Sequence, residues 1–224
     1  MTKVPPRSRT GTASRWWHGL IAAVVLASVL IELVLIFTGG ADANSGDAGA
    51  SIGVGTRLWR MFSFFTIQSN LIVLAVAVGL VLRPARDGSL WRVVRLDSLL
   101  GIVITGLVFA IVLAPQVHLT GWSLASTIGL HYISPWATLA AWLVLGPRPR
   151  LTWHAVAYAF IWPLAWLIYI FTQGAFTNWY PYPFLDVTDL GLATALRNAA
   201  FVLLLGLLLA TGLKTLDTKL PPRA

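Results

Sequence analysis

Apolar residues dominate six stretches of this chain, 17–37, 58–82, 99–117, 127–145, 155–172 and 193–213, and short polar segments separate them. Each stretch approaches the roughly 20 residues that a helix needs to cross a bilayer. The pattern predicts an all-α, polytopic integral membrane protein: one six-helix transmembrane domain over 17–213, flanked by a basic tail at 1–16 and a second tail at 214–224. Polar side chains inside such stretches must find partners or line a cavity, so their positions carry most of the functional information. The second stretch is the richest, with Ser63, Thr66, Gln68, Ser69 and Asn70.

Composition agrees with the membrane reading, since 57% of the 224 residues are hydrophobic and only 11% are charged. The net charge of +8 follows the rule that cytoplasmic loops collect Lys and Arg. Lys3, Arg7, Arg9 and Arg15 precede the first stretch, and Arg83, Arg86, Arg92 and Arg95 follow the second. Arg148 and Arg150 follow the fourth, and Lys214, Lys219 and Arg223 close the chain, leaving only Arg57, Arg60 and Arg197 opposite. Both termini are therefore expected to be cytoplasmic, with the bilayer, not nucleic acid, as the charged surface nearby. The first stretch is too long for a signal core and is expected to remain as a span.

The chain has no Cys, and its four His lack the H-E-x-x-H spacing, so no metal site or cofactor is expected. His18, His118 and His154 fall near predicted interfaces, as do many of the 11 Trp. Gly206 and Ala210 have the spacing of a helix contact without telling whether it lies within or between molecules, so the oligomeric state stays open.

On a continuous helix Ser63, Thr66, Ser69 and Asn70 share one face, with Gln68 on another. In the fourth stretch His131 precedes Pro135 by four residues. Proline has no N–H for the carbonyl of residue i−4, so the helix is expected to bend at a histidine. Neutral imidazole suits a general base near pH 7. Both Thr66 and His131 enter from the predicted outer side, which makes a joint site plausible. The loop between the last two stretches carries N-W-Y-P-Y-P-F-L-D, suited to a stiff apolar lid or an interfacial belt. Glu32 and Arg197, at similar predicted depth, are expected to pair.

The segments F-F-T-I-Q-S-N at 64–70, H-Y-I-S-P at 131–135 and G-A-F-T-N-W-Y-P-Y-P-F-L-D at 174–186 resemble bacterial six-helix proteins related to the androgen-induced family, which includes the androgen-dependent TFPI-regulating proteins. The resemblance implies a hydrolase of fatty acid esters of hydroxy fatty acids, with Thr66 as nucleophile and His131 as its base. The wording I-Q-S-N after the threonine departs from the eukaryotic members. In this reading Ser69 and Asn70 are candidate oxyanion donors, Arg197 a candidate contact for a substrate carboxylate, and Asp186 a candidate orienter of His131. The substrate is a lipid or fatty-acyl ester entering from the membrane. A transporter or lipid-binding protein without hydrolytic activity is the alternative, supported by Glu32, Arg197 and the bent span.

Overall fold

The computed structural model of the chain describes residues 9–41, 52–148 and 150–222. Lys3, Arg7 and Arg223 of the charge pattern, and most of the first loop, fall outside these. Among the described residues the chain is helical, in the order α1 (Arg9–Thr38), α2 (Val54–Ser63), α3 (Phe65–Leu82), α4 (Ser89–Gln116), α5 (Gly121–Leu145), α6 (Trp153–Thr177), α7 (Val187–Leu190) and α8 (Leu192–Lys219). All but α2 and α7 are long and apolar enough to span a membrane. Their outward faces stay apolar, with Leu20, Ile111, Ile168, Phe201 and Leu208 exposed, as expected of surfaces that lipid would cover.

Helix α4 is the centre of the bundle and touches α3, α5, α6 and α8. Its residues from Arg95 to Gly106 are buried without interruption, so this helix has no solvent or lipid face there. Helix α1 packs on α3 and α5 at one side. Several helices run beyond the apolar stretches that announced them. Helix α5 begins at Gly121 instead of 127, because the polar residues of its first turns are covered by protein: Ser126 Oγ donates to the Ser28 carbonyl of α1 at 3.2 Å.

The second stretch is not one helix. At Phe64 the backbone is extended (φ −69°, ψ 130°), so α2 stops and α3 starts afresh, although no Pro or Gly stands there. The break is stable because its loose ends are satisfied by side chains. The Phe62 carbonyl accepts from Gln68 Nε2 at 3.0 Å, and the Ser63 carbonyl accepts from Trp166 Nε1 at 2.9 Å. Gln68 Oε1 in turn accepts from Trp162 Nε1 at 3.0 Å. Ser63 donates to the Trp59 carbonyl and meets Tyr169, each at 2.8 Å. It therefore belongs to α2 and does not continue the Thr66 stripe.

Helix α5 widens instead of simply bending. Gly129–Ile133 form a π turn in which the Ser134 N–H reaches the Gly129 carbonyl five residues back. Pro135 explains part of this, since it cannot serve the His131 carbonyl. Close neighbours explain the rest. A Cβ at Gly129 would collide with Ser28, and one at Gly106 of α4 would stand 2.9 Å from Pro135. Glycine at these two positions lets α1 and α4 approach the widened turn from both sides. A second π turn, Phe109–Leu113, lies opposite in α4.

At this end of the bundle Arg57 of α2 is buried and donates to the Ile36 carbonyl at 3.0 Å and to the Gly40 carbonyl, closing the exposed end of α1. At the other end the α5–α6 connection is tied in the same manner. Arg148 Nη1 donates to the carbonyls of Trp142 and Leu143 at 2.7 and 2.6 Å. Asp217 of α8 accepts from the N–H groups of Arg150 and Leu151 at 2.6 and 2.7 Å.

Candidate active site

Thr66 is the second residue of α3, in the first turn after the break, where N–H groups have no carbonyl one turn earlier. Its own N–H donates to the Tyr182 hydroxyl at 3.1 Å, and its Oγ1 lies 3.2 Å from that same hydroxyl. On the other side Oγ1 lies 3.4 Å from His131 Nε2. This is a long hydrogen bond, of a kind that shortens when substrate organises a site.

Proton positions follow from what each atom can do. His131 Nδ1 is 3.2 Å from the Thr127 carbonyl, which only accepts, so Nδ1 carries the hydrogen of the neutral ring and Nε2 presents its lone pair to Thr66. Thr66 O–H then donates to Nε2. The Tyr182 oxygen receives the Thr66 N–H, so its own hydrogen is directed to Thr66 Oγ1. Complete burial pushes the Tyr182 phenol up to about 12, so it remains a donor at neutral pH. Rings lock the pair in place: Phe109 stacks on His131 with centroids 3.9 Å apart, and Phe184 stacks on Tyr182 at 5.3 Å. Pro181 and Pro183 stiffen the backbone on either side of Tyr182.

Two cavities meet at Thr66. The wider, of about 370 Å³, is lined by Thr66, His131 and Thr127 together with Tyr180, Tyr182, Asp186 and Asp189. The narrower, of about 70 Å³, runs between α4, α6 and α8 among Phe65, Ile104, Phe160, Trp166, Val202 and other apolar side chains. A linear molecule seated across this junction would have one end in a polar vestibule, one end in an apolar crevice, and its middle at the hydroxyl.

The other expected residues have different places. Asn70 Nδ2 donates to the Thr66 and Leu130 carbonyls at 2.9 and 3.2 Å, so it staples the start of α3 to the π turn of α5 and has no hydrogen left for an oxyanion. Ser69 is fully buried with its Oγ turned to Gly101 of α4, away from both cavities. Being three and four residues past Thr66 puts both one turn deeper, against neighbouring helices. Asp186 lines the vestibule, but its Oδ1 caps α7 by accepting from the Thr188 N–H and hydroxyl, and the Thr127 carbonyl holds His131 instead. Arg197 is exposed on α8 and lines neither cavity. Glu32 is fully buried on α1, whose packing partners are α2, α3 and α5, so the expected Glu32–Arg197 pair does not form.

Tyr182 is the participant that residue patterns did not single out. Its signal was the pair of prolines that hold it, visible in Y-P-Y-P-F yet equally at home in an interfacial belt. Tyr182→Phe keeps the ring contacts and removes the hydroxyl. It is expected to lower kcat about 10²–10³-fold, the usual effect of deleting one donor to a developing oxyanion, with KM nearly unchanged. Steady-state hydrolysis would check this, and an unaltered kcat would take Tyr182 out of the reaction.

Compared with protein-family models, curated proteins and solved structures, this chain matches none. What defines its class is thus internal: six membrane-length helices enclosing a buried threonine, histidine and tyrosine.

Proposed function

We propose that this protein is a multi-pass membrane hydrolase that cleaves a lipidic ester by acyl transfer to Thr66. The observation that carries the reading is the position of Thr66 Oγ1, between His131 Nε2 and the Tyr182 hydroxyl and at the junction of a vestibule with an apolar crevice. The charge pattern of the loops supports cytoplasmic termini, which puts the vestibule on the outer face.

The acyl chain occupies the crevice and the ester carbonyl lies at Thr66. His131 Nε2 takes the Thr66 proton as Oγ1 bonds to the carbonyl carbon, and Tyr182 swings its hydrogen from Oγ1 to the oxyanion. Collapse breaks the bond to the alcohol, which leaves with the proton from Nε2. Water entering from the vestibule then gives a proton to Nε2 and attacks the acyl-Thr66 ester, releasing the acid and restoring the threonine. The β-branched Thr66 has few side-chain rotamers, so the fixed geometry compensates for its weak nucleophilicity. Because the vestibule lining holds Asp186 and Asp189 and no Lys or Arg, it fits an alcohol portion that is neutral or cationic better than one bearing a carboxylate.

The test is a fluorophosphonate probe applied to the purified protein in nanodiscs, with the adduct mapped by peptide mass and nitrophenyl butyrate hydrolysis followed in parallel. The adduct is expected on Thr66, together with ester turnover. An adduct elsewhere, or neither adduct nor turnover, would overturn the proposal, and solute flux in proteoliposomes would then favour a transporter.

A further inference from the structure

The apolar crevice has one wall unlike the others. Asp97, Gly101 and Thr105 stand at four-residue steps on α4, share a face, and all line it. Asp97 is only 8% exposed, and its Oδ1 is buried without a hydrogen-bond partner. Thr105 Oγ1 is likewise buried and unpartnered. Unsatisfied polar atoms are costly inside a protein, more so inside a membrane bundle, and two on one cavity wall point to a ligand that satisfies them. Gly101 keeps the space between them open, because a Cβ there would come within 2.9 Å of Trp162 and 3.0 Å of Ser69 Oγ.

The same contact sets the scale. Ser69 of α3 lies level with Gly101, so Thr66, one turn nearer the vestibule, lies near the level of Thr105. From there to Asp97 is eight residues of helix, about 12 Å, the length of about nine or ten extended methylene units.

We propose that the crevice is an acyl-chain subsite selective for a chain that carries a hydroxyl near its middle, with Asp97 accepting the hydrogen bond from that hydroxyl. This rests on the hydrolase reading only for the placement of the carbonyl at Thr66. A carboxyl oxygen is the strong partner for a hydroxyl in this setting. A chain of plain methylenes would leave Asp97 unsatisfied, and a short acyl group would not reach it.

The experiment compares nitrophenyl esters of octadecanoic acid and of a mid-chain hydroxyoctadecanoic acid, with nitrophenyl butyrate as a chain-independent control. In the wild type kcat/KM is expected to favour the hydroxylated ester about tenfold. Asp97→Leu is expected to abolish or invert that ratio while keeping butyrate turnover, and Asp97→Asn, whose amide oxygen still accepts, to retain most of it. Equal turnover of the two long esters by the wild type overturns the proposal without any variant, as does a preference that survives Asp97→Leu. Kd values for the two matching non-hydrolysable ethers in nanodiscs read the same preference without catalysis. Loss of turnover with retained ether preference would therefore sink the hydrolase and spare the subsite.

Discussion

Thr66→Val is expected to leave a folded protein that neither turns over ester nor captures the fluorophosphonate probe. Valine keeps the shape of threonine at a site only 4% exposed, so the packing of α3 against Phe109 and Tyr182 is preserved and the lost hydrogen bonds cost about 1 kcal/mol each. Chemistry has no such tolerance. With the hydroxyl gone there is no group to form the acyl intermediate, and turnover should fall by about 10⁴-fold or more, as when the nucleophile of a concerted site is deleted. Thr66→Ser restores a hydroxyl with one fewer methyl and is expected to recover capture and turnover. Rates for wild type, Val and Ser variants, with melting curves alongside, check this directly. Ester hydrolysis by the Val variant at the wild-type rate would mean that Thr66 is a buried helix contact and nothing more.

How far residue order alone revealed this arrangement depends on the range of the interactions. The six spans were legible because each rests on a property summed over about 20 residues. Thr66 and His131 stood out because polar groups are rare inside such stretches, and each sits beside a distinctive neighbour, the Phe pair before Thr66 and Pro135 after His131. The break at Phe64 was not legible. No helix breaker marks it, and what stabilises it is Gln68 and Trp166 reaching carbonyls from elsewhere in the bundle. That break is also what frees the Thr66 N–H for Tyr182, so the most consequential local feature depends on tertiary partners.

Asn70 shows the same limit from the other direction. Its placement four residues after Thr66 correctly implied proximity, but its two donors are spent on the Thr66 and Leu130 carbonyls. Arg197 was expected to lie at depth because it follows the start of an apolar stretch. Helix α8 turns that residue outward instead, and the widened turn of α5 packs against α1 through Ser28 and Gly129, a contact between residues 101 positions apart that neither segment announces.

His131→Gln is expected to reduce acylation by about 10²–10⁴-fold, the range for loss of a positioned general base. A glutamine side chain occupies part of the ring's space beside Phe109 and hydrogen-bonds to its surroundings, yet it cannot accept the Thr66 proton. The pH profile separates a base from a merely structural residue. A base must be unprotonated to act, so wild-type kcat/KM should fall as pH drops through the histidine's titration, and that acidic limb should vanish in the variant. His131→Ala supplies the complementary readout: it opens space where added imidazole can bind against Phe109, and imidazole is expected to restore part of the rate with a dependence on the concentration of its neutral form. Retention of the acidic limb in His131→Gln would assign it to another group. A rate insensitive to imidazole together with unchanged acylation would reduce the histidine to a packing partner of the π turn, leaving the Thr127 carbonyl contact as its only role.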